Sequence, residues 1–128
     1  QSRLCVPTIE QIAAAKLVDT PEEYFIETRE EYQRRRDVIY NALREIPGVI
    51  CEKPTGAFYV IVKLPLKNAE DFVKWLLTDY SIENETVMLA PADGFYATKG
   101  LGEDEIRISY CLNCDDLNKA MNIIRTGL

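Results

Sequence analysis

The run Ala57-Phe58-Tyr59-Val60-Ile61-Val62-Lys63-Leu64 decides the fold class of this chain. Apolar residues occupy both alternating faces of the run, which predicts a central strand buried on both sides. A second strand is predicted from Thr86 to Ala90, where Pro91 ends it. A third is predicted from Glu105 to Tyr110, because apolar and polar residues alternate there. The strands together predict a small sheet of three to four strands.

Two helices are predicted before the central strand. The capping-box spacing of Thr or Ser followed three residues later by Gln or Glu occurs at Thr8 and again at Thr20. The first pattern predicts a short helix to about Leu17, and the second a long helix to about Ile46. Apolar residues at helical spacing predict that the long helix packs along its length. These residues are Phe25, Tyr32, Ile39, Leu43 and Ile46.

Two further helices are predicted after the central strand. Asn68 can cap a helix with an apolar face that extends to Tyr80, and Asn113 can cap a last helix that ends near Gly127. The resulting order is two helices followed by strand, helix, strand, strand and helix. We therefore expect one α+β domain over residues 1–128, with helices packed on one side of the small sheet.

Composition and charge exclude several classes of function. The 128 residues carry a formal net charge of −6, which argues against a nucleic-acid partner because phosphate binding needs a cationic surface. No apolar run approaches the roughly 20 residues that cross a bilayer, and no signal-peptide core is present. We expect no membrane partner and a cytoplasmic location. The chain opens on Gln1 rather than Met, so we expect it to be a piece of a longer protein.

Cysteine and histidine usage leaves one alternative open. Histidine is absent, which removes Ser-His and Cys-His nucleophile pairs and most catalytic metal sites. Cys111 and Cys114 have the C-x-x-C spacing of redox and zinc sites. Zinc would require Cys5 and Cys51 to converge on them. Cysteine is also a common small buried residue, so we expect no metal site and keep a thiol-redox or metal protein as an alternative.

Arg107 is the candidate binding residue. It lies in Glu105-Ile106-Arg107-Ile108-Ser109-Tyr110, where alternation puts Ile106 and Ile108 on one face and Arg107 on the other. A guanidinium held on a sheet is a preorganised fork for a carboxylate. The alternative is an ordinary strand arginine that faces solvent.

Four segments resemble the C-terminal part of fold-type I aminotransferases, the class I/II pyridoxal-phosphate enzymes. Three of them are Pro54-Thr55-Gly56-Ala57-Phe58-Tyr59, Val87-Met88-Leu89-Ala90-Pro91-Ala92-Asp93-Gly94-Phe95-Tyr96, and Gly102 with Ile106-Arg107-Ile108-Ser109-Tyr110. Arg3-Leu4-Cys5-Val6-Pro7-Thr8-Ile9-Glu10-Gln11 resembles the family's segment downstream of its cofactor lysine. The resemblance covers essentially the whole chain and is closest to the aspartate aminotransferase-like members.

The resemblance implies roles for particular residues. Arg107 matches the arginine that binds the substrate's α-carboxylate. Gly56-Ala57-Phe58-Tyr59 matches the substrate-side edge of the family's strand, which makes Gly56 and Phe58 weaker site candidates. Phe95 and Tyr96 lie in the loop that comes near the ligand. Packing of these aromatic side chains into the core is the alternative. Ala92 stands where many family members have glycine, which leaves the subgroup open.

The resemblance also implies an incomplete enzyme. The family's cofactor lysine, the aspartate that pairs with the pyridine nitrogen and the phosphate-binding loop all lie upstream of this chain. We therefore expect the C-terminal small domain of an aminotransferase, without the cofactor-binding large domain and without catalytic residues. The parent enzyme would use pyridoxal phosphate to move an amino group between an amino acid, expected to be aspartate, and a 2-oxo acid, as a homodimer. The chain alone is expected to be inactive, to bind no cofactor and to be able to exist as a monomer; a stand-alone amino-acid-binding or regulatory module is the alternative.

Overall fold

A computed structural model describes residues 6–128 of the chain, so the predictions that involve Arg3 and Cys5 lie outside the described residues. The described part contains four helices, four strands and two 3-10 turns. The helices are α1 (Thr8–Ala14), α2 (Glu22–Arg44), α3 (Ala69–Thr78) and α4 (Cys114–Gly127). The strands are β1 (Ile50–Cys51), β2 (Tyr59–Lys63), β3 (Ala90–Pro91) and β4 (Glu105–Ser109). The 3-10 turns are Ala15–Asp19 and Asp93–Phe95.

The strands form one antiparallel sheet in the order β1-β2-β4-β3. In this register Ile61 lies opposite Arg107 on one side, and Ala90 lies opposite Arg107 on the other. Residues directly opposite each other in a sheet point to the same face. Arg107 therefore sits in the middle of a face that β2, β4 and β3 share.

The other face of the sheet carries the core. Val60 and Val62 of β2 and Ile106 and Ile108 of β4 are buried there against side chains of α2, α3 and α4. The helix residues of this core are Ile39, Leu43, Ala69, Phe72, Val73, Leu76, Leu117, Met121, Ile123 and Ile124. The predicted α+β fold, with helices on one side of a small sheet, is confirmed.

The prediction that the central strand is buried on both faces was wrong. Val60 and Val62 are buried, but Tyr59 is 42% exposed and Ile61 is 38% exposed. The physical reason is the single helical layer, which leaves the second face of β2 uncovered within the described residues. Continuous apolarity along this strand therefore marks an open apolar face rather than a second buried layer.

The helix caps predicted at Asn68 and Asn113 are confirmed. The side chain of Asn68 accepts a hydrogen bond from the backbone amide of Asp71, and Asn113 accepts one from Asp116. The capping box predicted at Thr8 does not form. The N-cap position is Pro7, and the side-chain amide that should complete the box donates instead to the carbonyl oxygen two residues before Thr8, at 2.6 Å. An asparagine side chain has an oxygen that can accept the N-cap hydrogen bond, whereas the side chain of Pro7 has none.

Strand boundaries differ from prediction at both sheet edges. The second predicted strand, Thr86–Ala90, is reduced to the two residues of β3, because only Ala90 and Pro91 pair with β4. The sequence did not indicate β1, whose two residues pair with Val62 and Lys63. Two-residue strands depend on their partner rather than on a periodic pattern of their own, so periodicity cannot find them.

The described chain divides into two compact units between Glu31 and Tyr32. The second unit, Tyr32–Leu128, contains every buried residue of the described chain. In the first unit no residue from 6 to 31 is buried. The prediction that α2 packs along its whole length was therefore wrong at Phe25, which is 56% exposed. Across residues 6–128, no helix is both long and apolar enough to traverse a bilayer.

Candidate functional site

The candidate site is the sheet face that the helices leave uncovered. Arg107 lies at its centre, half-buried, between Ile61 of β2 and Ala90 of β3. The strand alternation that buries Ile106 and Ile108 is what directs the guanidinium to this face. A cation on a rigid sheet strand has a fixed base, which suits it to binding rather than to simple solvation.

Two aromatic rings contact the guanidinium. The Arg107 Cζ atom lies 5.3 Å from the ring centre of Tyr59 and 4.5 Å from that of Phe95. Both distances are within the range in which a ring attracts a cation. Tyr59 opens β2 and Phe95 ends the 3-10 turn Asp93–Phe95, so the two rings come from separate elements.

Among residues 6–128, no carboxylate forms an ion pair with Arg107. Two acids near the start of β4 have other partners: Tyr96 donates its hydroxyl proton to the Glu105 carboxylate at 2.5 Å, and Lys63 pairs with Asp104 at 2.7 Å. The hydrogen bond to Glu105 raises the pKa of Tyr96, and the hydrogen bond to Asp104 raises the pKa of Lys63. Ring faces satisfy none of the five guanidinium donors in the way a carboxylate does, so the site is chemically suited to bind a carboxylate in a bidentate manner.

The structure brings the other predicted substrate-side residues near Arg107 in different degrees. The Phe58 ring packs edge-on against Tyr59 with 5.5 Å between ring centres, one ring removed from Arg107. Tyr96 follows Phe95 directly and bonds to the strand of Arg107 through Glu105. Gly56 lies in open space, where an added Cβ would meet no atom within 4 Å. The roles of these residues in binding stay predictions.

None of the four aromatic side chains in these two segments is buried as a core residue would be. Phe58, Tyr59, Phe95 and Tyr96 are all between 40% and 55% exposed. The Tyr59 and Phe95 rings lie against the half-buried Arg107 cation, whereas the Phe58 ring also lies 6.3 Å from that of Tyr32 on α2. Exposed aromatic rings beside a cation are typical of a binding site.

The two rings that contact Arg107 lie in the two segments that the resemblance assigned to the substrate side of the family's site. The aromatic residues predicted to bind within those segments are Phe58 and Tyr96, whereas the contacting rings belong to their neighbours in sequence, Tyr59 and Phe95. For Tyr59 the pattern did contain the information, because strand alternation places it on the same face as Ile61 and Arg107. For Phe95 it did not, since the position of a ring in an irregular loop depends on tertiary contacts.

The cysteine alternative gains no support from geometry. Cys111 is exposed, with its Sγ 3.0 Å from the Ser109 Oγ, and Cys114 is the first residue of α4. Burial raises the pKa of the half-buried Cys51, and Glu52 adds to this. Across the described part of the chain, no three potential metal-binding side chains come together. A raised thiol pKa opposes metal binding and nucleophilic attack, which both require the thiolate.

Comparison with known proteins gives a consistent family. The profile described as "Aminotransferase class I and II" matches residues 1–124. Aspartate aminotransferase of Bacillus subtilis (strain 168) is 34% identical over 125 residues, a match that covers 92% of this chain and 29% of that protein.

Solved structures agree. Alanine aminotransferase from Pyrococcus furiosus superposes with a TM-score of 0.77 at 33% identity, covering 97% of this chain and 30% of that one. The α-aminoadipate aminotransferase from Thermus thermophilus, complexed with N-(5'-phosphopyridoxyl)-L-leucine, superposes with a TM-score of 0.81 at 26% identity, covering 99% and 32%. The chain thus spans about three-tenths of the length of each protein it matches.

Proposed function

We propose that this chain, which belongs to the class I and II aminotransferase family, is the C-terminal small domain of an aminotransferase and supplies the arginine that binds the substrate carboxylate. The family uses pyridoxal phosphate to transfer amino groups between amino acids and 2-oxo acids. The observation that carries the proposal is Arg107, a half-buried guanidinium without an acidic partner among residues 6–128, on an open sheet face lined by aromatic rings.

Arg107 would bind the α-carboxylate that amino acids and 2-oxo acids share. A guanidinium presents two parallel N–H groups to a carboxylate, and it stays charged throughout the physiological pH range. Partial burial strengthens the attraction relative to water. The rings of Tyr59 and Phe95 cover part of the guanidinium surface. Two parallel hydrogen bonds to the carboxylate would also fix the position of the α-carbon to which it is attached.

Lys63 does not fit covalent attachment of the cofactor. A lysine that joins covalently to a carbonyl must reach its neutral form, which requires a lowered pKa. Lys63 lies on the same sheet face as Arg107, but its bond to Asp104 raises its pKa. Pyridoxal phosphate, when bound in an enzyme of this family, withdraws electrons from the substrate's α-carbon. We propose that another part of the protein holds it and that this chain alone is inactive.

The amino acid substrate remains part of the proposal. Relatives named for aspartate, alanine and α-aminoadipate all match this chain, and all three amino acids carry the α-carboxylate that Arg107 would bind. We propose aspartate as the first substrate to test. We further propose that the complete enzyme is a cytoplasmic homodimer.

A chimera tests the function. The segment of the Bacillus subtilis aspartate aminotransferase that matches this chain is replaced by residues 1–128, and transamination of aspartate with 2-oxoglutarate is measured. We expect activity that Arg107→Ala reduces about 100-fold or more in kcat/KM, because the substrate carboxylate loses its paired cation. Arg125→Ala is the matched control: it removes the same charge from an exposed residue of α4 and should leave kcat/KM within about twofold.

Two results would contradict the proposal. A chimera that binds cofactor, as judged by its visible absorbance, but transaminates equally well with Arg107 or Ala at position 107 removes Arg107 from the site. Micromolar binding of aspartate by the isolated chain, measured by calorimetry, favours the stand-alone amino-acid-binding module instead, since an isolated half-site lacks most of the contacts needed for such affinity.

A further inference from the structure

We propose that Tyr59 and Phe95 are positioning residues, which hold the Arg107 guanidinium in one orientation before a carboxylate arrives. The chain segment that carries each ring is in turn held in place by hydrogen bonds or close packing. The proposal rests on the proposed role of Arg107 as the carboxylate-binding residue. The pair of rings is called the aromatic clamp below.

The Tyr59 side of the clamp is set by an unusual backbone conformation. Ala57 has φ +58°, a left-handed conformation that residues other than glycine, asparagine and aspartate rarely adopt. The hydroxyl of Tyr110 donates a hydrogen bond to the Ala57 carbonyl at 3.2 Å, and the amide of Tyr110 donates to the Phe58 carbonyl at 2.9 Å. Tyr110 is only 1% exposed, so the core itself holds the two carbonyls that precede Tyr59. Strained backbone that surrounding contacts maintain is a common feature of functional sites.

The Phe95 side of the clamp is set by its neighbour Tyr96. The Tyr96 ring lies so close to Gly102 that a Cβ there would come within 2.6 Å of it, so only glycine leaves room for the ring. The Tyr96 hydroxyl is bonded to Glu105. On the other side of Phe95, the amide of Ala92 donates to the Glu105 carbonyl at 2.9 Å, and Ala92 is fully buried. The loop is therefore tied to β4 both before and after Phe95.

The clamp has a consequence for binding. An arginine side chain loses much rotational freedom when it is fixed, and an unclamped arginine would lose it at the moment the ligand binds. Two rings that attract the cation restrict it beforehand. The distances of 5.3 and 4.5 Å thus describe a preorganised guanidinium, and the residues behind the rings contribute through them.

Nuclear magnetic resonance on the 15N-labelled 128-residue chain tests the clamp directly. The order parameter of the Arg107 Nε–Hε bond should be near that of rigid backbone, about 0.8, and should fall below about 0.6 in Tyr59→Leu and in Phe95→Leu. Tyr59→Phe keeps a ring and should keep the order parameter. Tyr40→Leu is the matched control, because Tyr40 contacts a different arginine, Arg44, at 5.7 Å. An order parameter that is unchanged in both Leu variants overturns the proposal.

The glycine variants test the contacts behind the clamp. Gly102→Ala forces the Tyr96 ring to move and should lower the Arg107 order parameter. Gly100→Ala also places alanine at a positive φ, +89°, but the added Cβ would meet no atom within 4 Å. This variant should therefore leave the Arg107 order parameter unchanged. Tyr96→Phe removes only the hydrogen bond to Glu105 and replaces Gly102→Ala if that variant fails to fold. Tyr96→Phe should also lower the Arg107 order parameter. Equal order parameters for Arg107 in Gly100→Ala, Tyr96→Phe and the unsubstituted chain overturn this part.

Titration with acetate separates this proposal from the proposed function. If acetate shifts the Arg107 Nε–Hε resonance, half-saturation should require several-fold more acetate in Phe95→Leu than in the unsubstituted chain. An Arg107 that is rigid but unaffected by acetate contradicts the carboxylate-binding role and leaves the clamp standing. An Arg107 that binds acetate equally well with and without the rings contradicts the clamp and leaves the carboxylate-binding role standing.

Discussion

The two units of the chain use apolar residues in opposite ways. In Tyr32–Leu128 they form one continuous core, whereas from residue 6 to 31 none is buried. Ile9 is 80% exposed and Val18 is 86% exposed, although both belong to helical segments. Apolar surface on this scale is typical of an interaction surface rather than of a self-contained fold. An apolar pattern at helical spacing therefore does not tell whether a helix packs against other residues of the same chain.

The largest expected effect on stability is that of replacing a buried leucine of the second unit by alanine. The same replacement at an exposed leucine of the first unit should have almost none. Leu43→Ala removes a side chain that is 0% exposed and should lower the free energy of unfolding by about 2–5 kcal/mol. Leu17→Ala, at a position 67% exposed, should change it by less than about 0.5 kcal/mol. Urea unfolding followed by circular dichroism measures both. Similar losses for the two variants would break the distinction between the units.

A smaller effect on stability is expected from removing the hydroxyl of Tyr110, and this effect should depend on pH. Burial raises the pKa of Tyr110 above its ordinary value of 10.0, so the folded state favours the neutral phenol. The stability that this group contributes is fully present below the unfolded pKa of about 10 and is lost as the pH rises through the raised folded pKa. Tyr110→Phe should lower stability at pH 7 by about 0.5–1.5 kcal/mol, the usual value of one hydrogen bond, and should weaken the alkaline loss.

Tyr24→Phe in the first unit is the control for this pH dependence. Tyr24 is 59% exposed, so its replacement should leave the stability curve between pH 7 and 11 unchanged. Chemical unfolding at a series of pH values measures all three proteins. An alkaline loss of stability that is the same in Tyr110→Phe and in the unsubstituted chain would show that the buried hydroxyl plays no part in it.

The smallest effect on stability is expected at the exposed apolar residues of the first unit. Ile9→Ser should change the free energy of unfolding by less than about 0.5 kcal/mol, because it removes no buried contact. It should nevertheless reduce binding of an apolar fluorescent dye, since the exposed apolar surface becomes smaller. Ile39→Val, at a position 1% exposed, is the opposite case: it should cost about 0.5–1.5 kcal/mol and leave dye binding by the folded protein unchanged. Dye fluorescence that is insensitive to Ile9→Ser would place the dye-binding surface elsewhere.

Features set by residues that are neighbours in sequence are predicted better than features set by packing. Asn68 and Asn113 cap their helices as expected, because an N-cap is a local interaction between residues three apart. The burial of β2 on one face only, and the exposure of Phe25, depend instead on which layers the rest of the protein supplies. Local rules have no access to that information.

The candidate site also combines features that local rules predict with features that depend on tertiary packing. Alternation along β4 predicts the face on which Arg107 lies, and the register confirms that this face is opposite the core. The contact with Phe95 could not be predicted, because it depends on a loop that Tyr96, Gly102 and Glu105 hold in place. The roles assigned by resemblance to Gly56 and Phe58 stay predictions.

The short strands at the two edges of the sheet limit edge-to-edge pairing between copies of the chain. An exposed sheet edge offers unpaired amide and carbonyl groups to which a strand of another molecule can add. Here both edges, β1 and β3, are only two residues long, and Pro91 in β3 has no amide proton to donate. A chain with so much exposed apolar surface needs such protection in concentrated solution, and its sheet leaves little template from which a fibril could grow.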